Sequence, residues 1–269
     1  MIRFAKAHAY GNDFLYVDKD AIERPGGVVV AELARQMCER HTGAGADGLI
    51  VYGRTGAGAT MQLYNADGGR AEVSGNGVRG LAALLLQGND REGGAVTIAT
   101  EAGPKRVTQV GVEDGRPMFR TAMGLPNDLK KTAIDVAGET VDVVVMNFGN
   151  PQCILLGAQP TDERFNRLGA ALEKHSLFPD ATNVEFATVE SPGTVRIRIW
   201  ERGVGPTTSS GTGSCASFVA AVTYGGAARD GVVIAPGGSQ RVEWLDDSVY
   251  LTGWAEMLLE GEWFRELPR

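Results

Sequence analysis

Cysteine and histidine are scarce in this 269-residue sequence, with three of each. Three scattered cysteines do not make a disulfide framework, and an odd number favours a reducing compartment. The histidines lie far from one another and from any cysteine at ligand spacing, so we predict no metal site. The residues in question are Cys38, Cys153 and Cys215, and His8, His41 and His175.

Positive charge and long apolar runs are also limited. The 26 basic residues are outnumbered by 33 acidic ones, which gives a net charge of −7, and no Lys/Arg cluster suited to a phosphate backbone is present. We therefore expect no nucleic-acid partner. The N-terminal residues lack the apolar core of a signal peptide, and no later segment approaches the roughly 18 apolar residues of a membrane span. We expect a cytoplasmic protein that binds no membrane.

A nucleotide cofactor is disfavoured despite the 37 glycines. No glycine motif follows the order strand, G-x-G-x-x-G and helix with an acidic residue about 20 positions later, and no G-x-x-x-x-G-K-[ST] loop occurs. Hairpin turns and loops at helix starts explain the glycines better. We predict that the protein uses no cofactor.

Short strands outnumber helices along the chain, which predicts the α+β class. The length of 269 residues, with 43% hydrophobic residues, fits either one large domain or two medium ones. Apolar and β-branched runs predict strands at 14–17, 49–52, 61–64, 95–98, 141–146, 194–200 and 249–252. Helical patterns are confined to about 28–41, 76–87, 161–175 and 212–224. The second helix is nearly apolar all round and should be a buried central helix. The fourth has an apolar stripe that should face a core, formed by Cys215, Phe218, Val219 and Val222.

An internal repeat is the most informative feature of the sequence. Gly11-Asn12 recurs as Gly149-Asn150, and Ser74-Gly-Asn-Gly recurs as Ser210-Gly-Thr-Gly. Each Ser-Gly-x-Gly follows a polar residue at a predicted strand end by nine positions. Three matched landmarks in the same order indicate two similar domains that face each other across a pseudo-twofold cleft, with a boundary near residues 115–125.

The two Ser-Gly-x-Gly segments have two possible roles. At a helix start they expose backbone N–H groups at the positive end of the helix dipole, and glycine allows an anion to approach closely. Serine is also a good N-cap, so Ser74 and Ser210 could be structural only. Their ordered recurrence favours function, because two opposed helix starts could hold a carboxylate while one residue from each side reaches opposite faces of one carbon.

Six segments resemble the successive signature blocks of the diaminopimelate epimerase family. They are Ala7–Phe14, Gly43–Gly48, Tyr64–Gly68, Gly75–Arg79, Gly149–Pro151 and Glu201–Gly205, and the likeness continues to Gly253–Glu256. The resemblance implies two pseudo-symmetric domains, each a barrel-like β-sheet around a central helix, with the active site in the cleft between them. We expect an N-terminal domain at 1–118, completed by about 257–269, and a C-terminal domain at 119–256.

The resemblance also implies an activity. Family members invert an amino acid α-carbon without pyridoxal phosphate, one thiolate removing the proton while an opposite thiol donates another. The implied substrate pair is LL- and meso-diaminopimelate, in lysine and cell-wall precursor biosynthesis. The implied assembly is a homodimer, and the implied partner is a small-molecule amino acid substrate.

Individual positions acquire roles from the same resemblance. Ser74 and Ser210 occupy the two catalytic cysteine positions. Arginine can grip one carboxylate of a diamino diacid in two places, while carboxylate and amide oxygens suit its ammonium groups. The implied substrate contacts are Asn12, Asn65, Gly75, Asn76, Asn150, Asn183, Glu201, Arg202, Gly211 and Thr212.

Departures from the family pattern leave the activity of the chain open. A serine hydroxyl is less acidic than a cysteine thiol by about seven pKa units, on the order of 9 kcal/mol. The family usually has histidine where Gln152 stands, and often an acidic or amide residue where Pro206 stands. One interpretation is an ordinary epimerase whose two cysteines were replaced by design. That interpretation predicts an otherwise intact site, and the departures at Gln152 and Pro206 argue against it. The other is a divergent member that acts on another amino acid as an isomerase or lyase, or that binds without turnover.

Overall fold

Strands make up most of the computed structural model, which describes residues 1–23, 27–87 and 93–266. Within these residues there are 18 strands and four α-helices, so the predicted α+β class is confirmed. They fall into two compact units, Met1–Thr121 with the segment from Trp254 onward, and Ala122–Gly253. Residues 267–269 of the predicted domain segment 257–269 lie outside the described residues. No described helix is long and apolar enough to cross a membrane.

The first unit is a sheet of short, mostly antiparallel strands. Its strands are β1 (Ile2–Ala9), β2 (Asn12–Asp18), β3 (Gly48–Thr55), β4 (Gly58–Asn65), β5 (Arg70–Ala71), β6 (Ala95–Thr100), β7 (Gly103–Glu113), β8 (Arg116–Gly124, which runs past the unit boundary) and β18 (Glu256–Trp263). Its helices are α1 (Val30–Cys38) and α2 (Gly75–Leu85). Strand β2 is parallel to β3 and β4 is parallel to β6, whereas β1 is antiparallel to both β2 and β18.

The second unit repeats this plan. Its strands are β9 (Asn127–Val136), β10 (Glu139–Asn147), β11 (Pro151–Leu156), β12 (Asn183–Ser191), β13 (Thr194–Glu201), β14 (Gly205–Thr207), β15 (Asp230–Ala235), β16 (Gly238–Trp244) and β17 (Val249–Trp254), with helices α3 (Asp162–Glu173) and α4 (Gly211–Tyr224). Strand β11 is parallel to β12 and β13 is parallel to β15, whereas β10 is antiparallel to both β11 and β9. The sequence repeat is therefore a repeat of the fold.

Helix α2 is the buried centre of the first unit. Val78, Leu81 and Ala82 have no exposed surface, and they pack with Ile50 and Phe119 of the surrounding strands. Burying a side chain such as Leu81 contributes about 1.5–3 kcal/mol. The prediction of a central helix from its apolar sequence is confirmed.

Helix α4 has the same position in the second unit, and the prediction that its apolar stripe faces a core is confirmed. Phe218 and Val219 of that stripe are fully buried, but so are Ala216, Ser217 and Ala220 on the other sides. Small side chains allow strands to pack against the helix all round. The stripe was therefore only the part of the buried surface formed by large residues.

Candidate active site

Helices α2 and α4 begin at equivalent serines. Ser74 is the N-cap of α2, and its Oγ accepts a hydrogen bond from the Gly77 N–H at 3.1 Å. Ser210 is the N-cap of α4, and its Oγ accepts from the Gly213 N–H at the same distance. Such a cap is worth about 1 kcal/mol. The structural role considered for both serines is therefore present, and it leaves each hydroxyl proton available for another acceptor.

Both helix starts have the features of an anion site. The first hydrogen bonds within the helices run from Val78 N–H to Ser74 O and from Ser214 N–H to Ser210 O, at 2.9 and 3.0 Å. In each helix, the N–H groups of the first two residues lie before the N–H that the serine caps and before the first bond within the helix, as helix geometry requires. They belong to the predicted contacts Gly75, Asn76, Gly211 and Thr212. Neither first turn contains an acidic residue, so nothing there opposes the attraction of the helix dipole for a carboxylate.

The structure brings Asn12 and Asn76 together in the first unit. Asn76 Nδ2 donates to Asn12 Oδ1 at 3.1 Å, and Asn12 Nδ2 donates to Asp47 Oδ2 at 2.8 Å. Arg79 is fully buried, donates through Nη2 to Asn76 Oδ1, and lies 5.5 Å from the centre of the Tyr10 ring. These bonds fix the direction of both amides.

Asn65 ends strand β4 next to the same group. Gly48 lies opposite Asn65 in the β3–β4 pair, and the Asn65 backbone N–H donates to Gly69 O at 2.8 Å. The following residue, Ala66, donates its N–H to Asp47 O at 3.0 Å. Asp47 thus links the strand end at Asn65 with the Asn12 amide. The local sequence signal for Asp47 was its place in the Gly43–Gly48 block.

A charged cluster supports this arrangement from behind. The Asp13 carboxylate lies 2.9 Å from Lys6 Nζ and 2.9 Å from Arg40 Nη2, and it accepts from the Asp47 N–H at 3.0 Å. Arg40 also contacts Asp47 Oδ1 at 2.8 Å. Burial by itself raises the pKa of Asp13, but the hydrogen bonds from Arg40 and Lys6 outweigh it and hold the pKa below its ordinary value.

Asp13→Asn is expected to lower the free energy of unfolding at pH 7 by about 2 kcal/mol, because charged hydrogen bonds of a partly buried group are lost. The depressed pKa means that this stabilisation is present above the unfolded pKa and disappears as the pH falls through the folded pKa. Urea unfolding at pH 7 and in acid measures the difference. Asp246→Asn, which removes an exposed pairing with Arg229 at 3.4 Å, is the control and should change little. An equal effect of the two variants would contradict the role of Asp13.

In the second unit, Asn150, Thr212 and Ser210 form one connected group. Asn150 Nδ2 donates to Thr212 Oγ1 at 3.4 Å, and Thr212 Oγ1 lies 3.5 Å from Ser210 Oγ. Asn150 follows Gly149, whose φ of 90° places it in the left-handed region that glycine adopts easily. This turn between β10 and β11 corresponds to the turn that carries Asn12 in the first unit.

Asn183 and Arg202 form a second group. The Arg202 N–H donates to Asn183 Oδ1 at 2.9 Å, and Asn183 Nδ2 donates to Pro151 O at 3.2 Å. Arg202 Nη1 also donates to Asp180 O at 3.2 Å. Glu201 is the last residue of β13, as Asn65 is the last residue of β4. Both predicted strand ends are confirmed.

Gln152 and Glu185 connect the two groups, and Glu185 was missed by the sequence reasoning. Gln152 was noted only as a departure from the family, yet its Nε2 donates to Asn150 Oδ1 at 2.6 Å. The other end of its amide lies 3.0 and 3.2 Å from the two carboxyl oxygens of Glu185. Burial, and then the nearby charge of Glu201, raise the pKa of Glu185 well above its ordinary value. The available signal was the strand alternation, which puts Asn183 and Glu185 on one face of β12.

Most of the chain matches one known protein family. The model of the family described as diaminopimelate epimerase matches residues 4–128 and 144–258. The chain belongs to the diaminopimelate epimerase family. The resemblance inferred from the six sequence blocks is thereby confirmed, while the roles of the individual site residues stay predictions.

Curated relatives match over nearly their whole length. A diaminopimelate epimerase of Desulforudis audaxviator is 38% identical, with 98% of this chain and 100% of that protein covered. One from Nostoc punctiforme is 37% identical, with 97% and 99% covered. The family assignment therefore extends over both units.

Solved structures share the fold at low sequence identity. A hydroxyproline epimerase from Agrobacterium vitis superposes with a TM-score of 0.71 at 15% identity, covering 97% of this chain and 91% of that one. A phenazine biosynthesis protein from Bacillus anthracis gives a TM-score of 0.71 at 16% identity, with 98% and 99% covered. Proteins with different names share this fold. The fold alone therefore does not assign the chain to a family, and the assignment to the diaminopimelate epimerase family rests on the sequence matches.

Proposed function

We propose that this protein is an isomerase that inverts the α-carbon of an amino acid without pyridoxal phosphate, converting LL-diaminopimelate to meso-diaminopimelate. The observation that carries the proposal is the family match over both units. The two equivalent helix starts, each with a capping serine and leading N–H groups, support it. The relatives in Desulforudis audaxviator and Nostoc punctiforme carry the name of this activity.

In this proposal Ser74 and Ser210 exchange protons with the substrate. One serine, as its alkoxide, takes the α-proton and becomes a hydroxyl, while the other serine hydroxyl gives a proton to the opposite face of the same carbon and becomes an alkoxide. Proton and electron counts of the substrate are unchanged. The negative charge that develops toward the α-carboxylate is stabilised by the N–H groups ahead of the helix bonds, which are already oriented before reaction.

The polar contacts divide between the two ends of the substrate. Arg202 is proposed to grip the distal carboxylate, and Glu201 an ammonium group. The remaining amide and backbone groups orient the reacting end; they are Asn12, Asn65, Gly75, Asn76, Asn150, Asn183, Gly211 and Thr212. The domain limits 1–118 with 257–269, and 119–256, and a homodimeric assembly are proposed on the same family grounds.

Solvent deuterium incorporation tests the proposal. We expect the α-proton signals of LL- and meso-diaminopimelate to disappear in D₂O in the presence of the protein, as followed by NMR. Ser74→Ala and Ser210→Ala are the matched controls, and each should reduce exchange by on the order of 10²-fold or more because one proton-transfer group is lost. Exchange that survives in both alanine variants would remove the serines from the mechanism.

A second candidate function is amino acid binding without α-carbon chemistry, or with the chemistry of a lyase. The serine hydroxyls at both positions favour it, because an isolated hydroxyl is a weak base for an α-proton. A binding protein would show no exchange, yet a ligand at 100 times its Kd would still stabilise it by about 2.7 kcal/mol. A lyase would release water from a hydroxylated amino acid. Thermal unfolding and NMR with each ligand separate these outcomes.

A further inference from the structure

A carboxyl group without solvent access lies directly behind the start of α4. Glu185 is completely buried on β12. It shares a strand face with Ala187, which belongs to the core around α4, whereas Phe186 faces the core of α3. The point that a Cβ on Gly213 would occupy is 2.4 Å from Glu185 Oε1 and 3.1 Å from Ser210 Oγ. The carboxyl and the serine hydroxyl therefore border the same position in the first turn of the helix.

The Gln152 amide lies between this carboxyl and the other polar side chains, and it has two possible orientations. In one, Nε2 donates to Asn150 Oδ1 at 2.6 Å and Oε1 faces Glu185. In the other, Nε2 donates to the Glu185 oxygens at 3.0 and 3.2 Å, and Oε1 accepts from Asn183 Nδ2 at 3.1 Å. The first orientation requires Glu185 to donate a proton, because two facing acceptors repel. The second suits an ionised carboxylate.

Opposing interactions keep the two orientations in competition. Asn183 cannot turn to relieve a donor clash, because its Oδ1 accepts from the Arg202 N–H at 2.9 Å and its Nδ2 donates to Pro151 O. In the first orientation, Gln152 Nε2 therefore faces Asn183 Nδ2 at 3.1 Å, and both groups are donors. This repulsion favours the second orientation. Burial of Glu185 favours its neutral form and hence the first orientation.

Neighbouring charges act in the same direction as burial. Glu201 on β13 raises the pKa of Glu185, and the burial-raised pKa of the Cys153 thiol on β11 keeps that neighbour neutral. The first turn of α4 contributes no acidic residue. On α3, the Glu173 carboxylate accepts a hydrogen bond from Trp200 Nε1 at 2.7 Å. Among the described residues, no cation fixes Glu185 in its ionised form.

We propose that Glu185 is a positioning residue whose protonation state sets the orientation of the Gln152 amide and, through Asn150 and Thr212, the direction of the Ser210 hydroxyl. With Glu185 neutral, its O–H donates to Gln152 Oε1. Gln152 then donates to Asn150 Oδ1, and Asn150 donates to Thr212 Oγ1. The Thr212 O–H is left to donate to Ser210 Oγ, 3.5 Å away.

Ionisation of Glu185 reverses this chain. Gln152 Nε2 turns to the carboxylate, and Asn150 turns so that its Nδ2 donates to Gln152 Oε1. The Thr212 O–H then donates to Asn150 Oδ1, and the Ser210 O–H donates to Thr212 Oγ1. One proton leaves Glu185 for solvent, and no other bond to hydrogen is broken. Ser210 offers a proton to a ligand in the first state and a lone pair in the second, a consequence that rests on the proposed function.

The side-chain amide signals of Gln152 report the switch without any turnover. In ¹⁵N-labelled full-length protein, assigned by their loss in Gln152→Leu, we expect them to move between two limits with one midpoint above the ordinary carboxyl range. In Glu185→Gln the Nε2 of the new amide replaces the carboxyl O–H donor, so the signals should stay at the low-pH limit at every pH. Glu173→Gln is the control, since this carboxylate is also buried but contacts Trp200, and it should leave the titration unchanged.

The proposal is overturned if the Gln152 signals do not move with pH in the natural chain, or if the same movement persists in Glu185→Gln. Should Glu185→Gln not fold, Gln152→Leu gives the deciding result: the ¹³C titration midpoint of the Glu185 carboxyl must rise, because the ionised form loses its donor. An unchanged midpoint would also overturn the proposal.

Catalysis provides a separate readout. The ratio of deuterium exchange rates from LL- and meso-diaminopimelate should depend on pH in the natural chain and lose that dependence in Glu185→Gln. The slower direction should fall by on the order of tenfold, the equivalent of one hydrogen bond. A pH-dependent ratio that Glu185→Gln leaves intact would break the link to Ser210. If no variant exchanges either substrate, the proposed function fails while the amide titration still decides the switch.

Discussion

Replacing Ser74 and Ser210 together by cysteine is expected to raise the rate of α-proton exchange by on the order of 10³-fold. The thiol is more acidic than the hydroxyl by about seven pKa units, and roughly half of such a difference is expressed in the rate of a proton transfer. Each helix start already supplies leading N–H groups beside the substituted side chain. The double variant therefore keeps those N–H groups and replaces only the two oxygen atoms that transfer protons and cap the helices.

Stability should change in the opposite direction from activity. Each serine Oγ accepts a 3.1 Å bond from the N–H three residues later, and sulfur accepts such bonds weakly. We expect the double variant to lose up to about 1 kcal/mol per helix cap. The double variant Ser74→Ala, Ser210→Ala loses both caps without gaining thiols. It therefore separates the effect of cap loss on stability from the effect of the thiols on exchange. Exchange measured by NMR, together with thermal unfolding, checks both parts.

A double cysteine variant that binds diaminopimelate but exchanges its α-proton no faster than the chain with both serines would contradict this account. That result would mean that the site no longer positions the substrate for proton transfer. A single cysteine variant provides a graded test, because one thiol improves one direction of transfer more than the other. Equal acceleration of both directions by Ser210→Cys alone would argue against a one-serine-per-face arrangement.

Local features were predictable from the sequence because their causes are local. The capping serines of α2 and α4 precede glycine and apolar runs, and a cap depends on only three or four consecutive residues. Strand ends at Asn65 and Glu201 followed from β-branched runs that meet turn residues. The family blocks then identified which of these features to join into one candidate site.

The buried network around Glu185 could not be predicted in this way. Its partner Gln152 is 33 positions away and meets it across the parallel β11–β12 pair, a contact that no local pattern specifies. A glutamate in a strand is ordinarily assigned to the exposed face, since an unpaired buried charge is costly. The burial of α4 beyond its apolar stripe was missed for a related reason: alanine and serine carry little apolar signal, although strands pack against them on every side.

Gly213→Ala is expected to destabilise the protein by about 3 kcal/mol, at the upper end of the cost of overpacking a core. Alanine has the higher helix propensity by about 1 kcal/mol, so propensity alone predicts the opposite sign. The clash decides, because the new Cβ would lie 2.4 Å from Glu185 Oε1, and that carboxyl is completely buried against the Gln152 amide. Urea unfolding measures the loss, and Gly157→Ala, where a Cβ meets nothing within 4 Å, is the control.

The cause of that loss can be assigned by shortening the partner. In a Glu185→Asp background the carboxyl withdraws by one methylene group, so Gly213→Ala should cost less there than in the natural chain, a coupling of about 1 kcal/mol or more. An equal cost in both backgrounds would place the clash elsewhere in α4. Because the same Cβ would also approach Ser210 Oγ at 3.1 Å, Gly213→Ala should lower α-proton exchange beyond what its stability loss explains. Glycine at this position is thus required by the space that the carboxyl and the serine share.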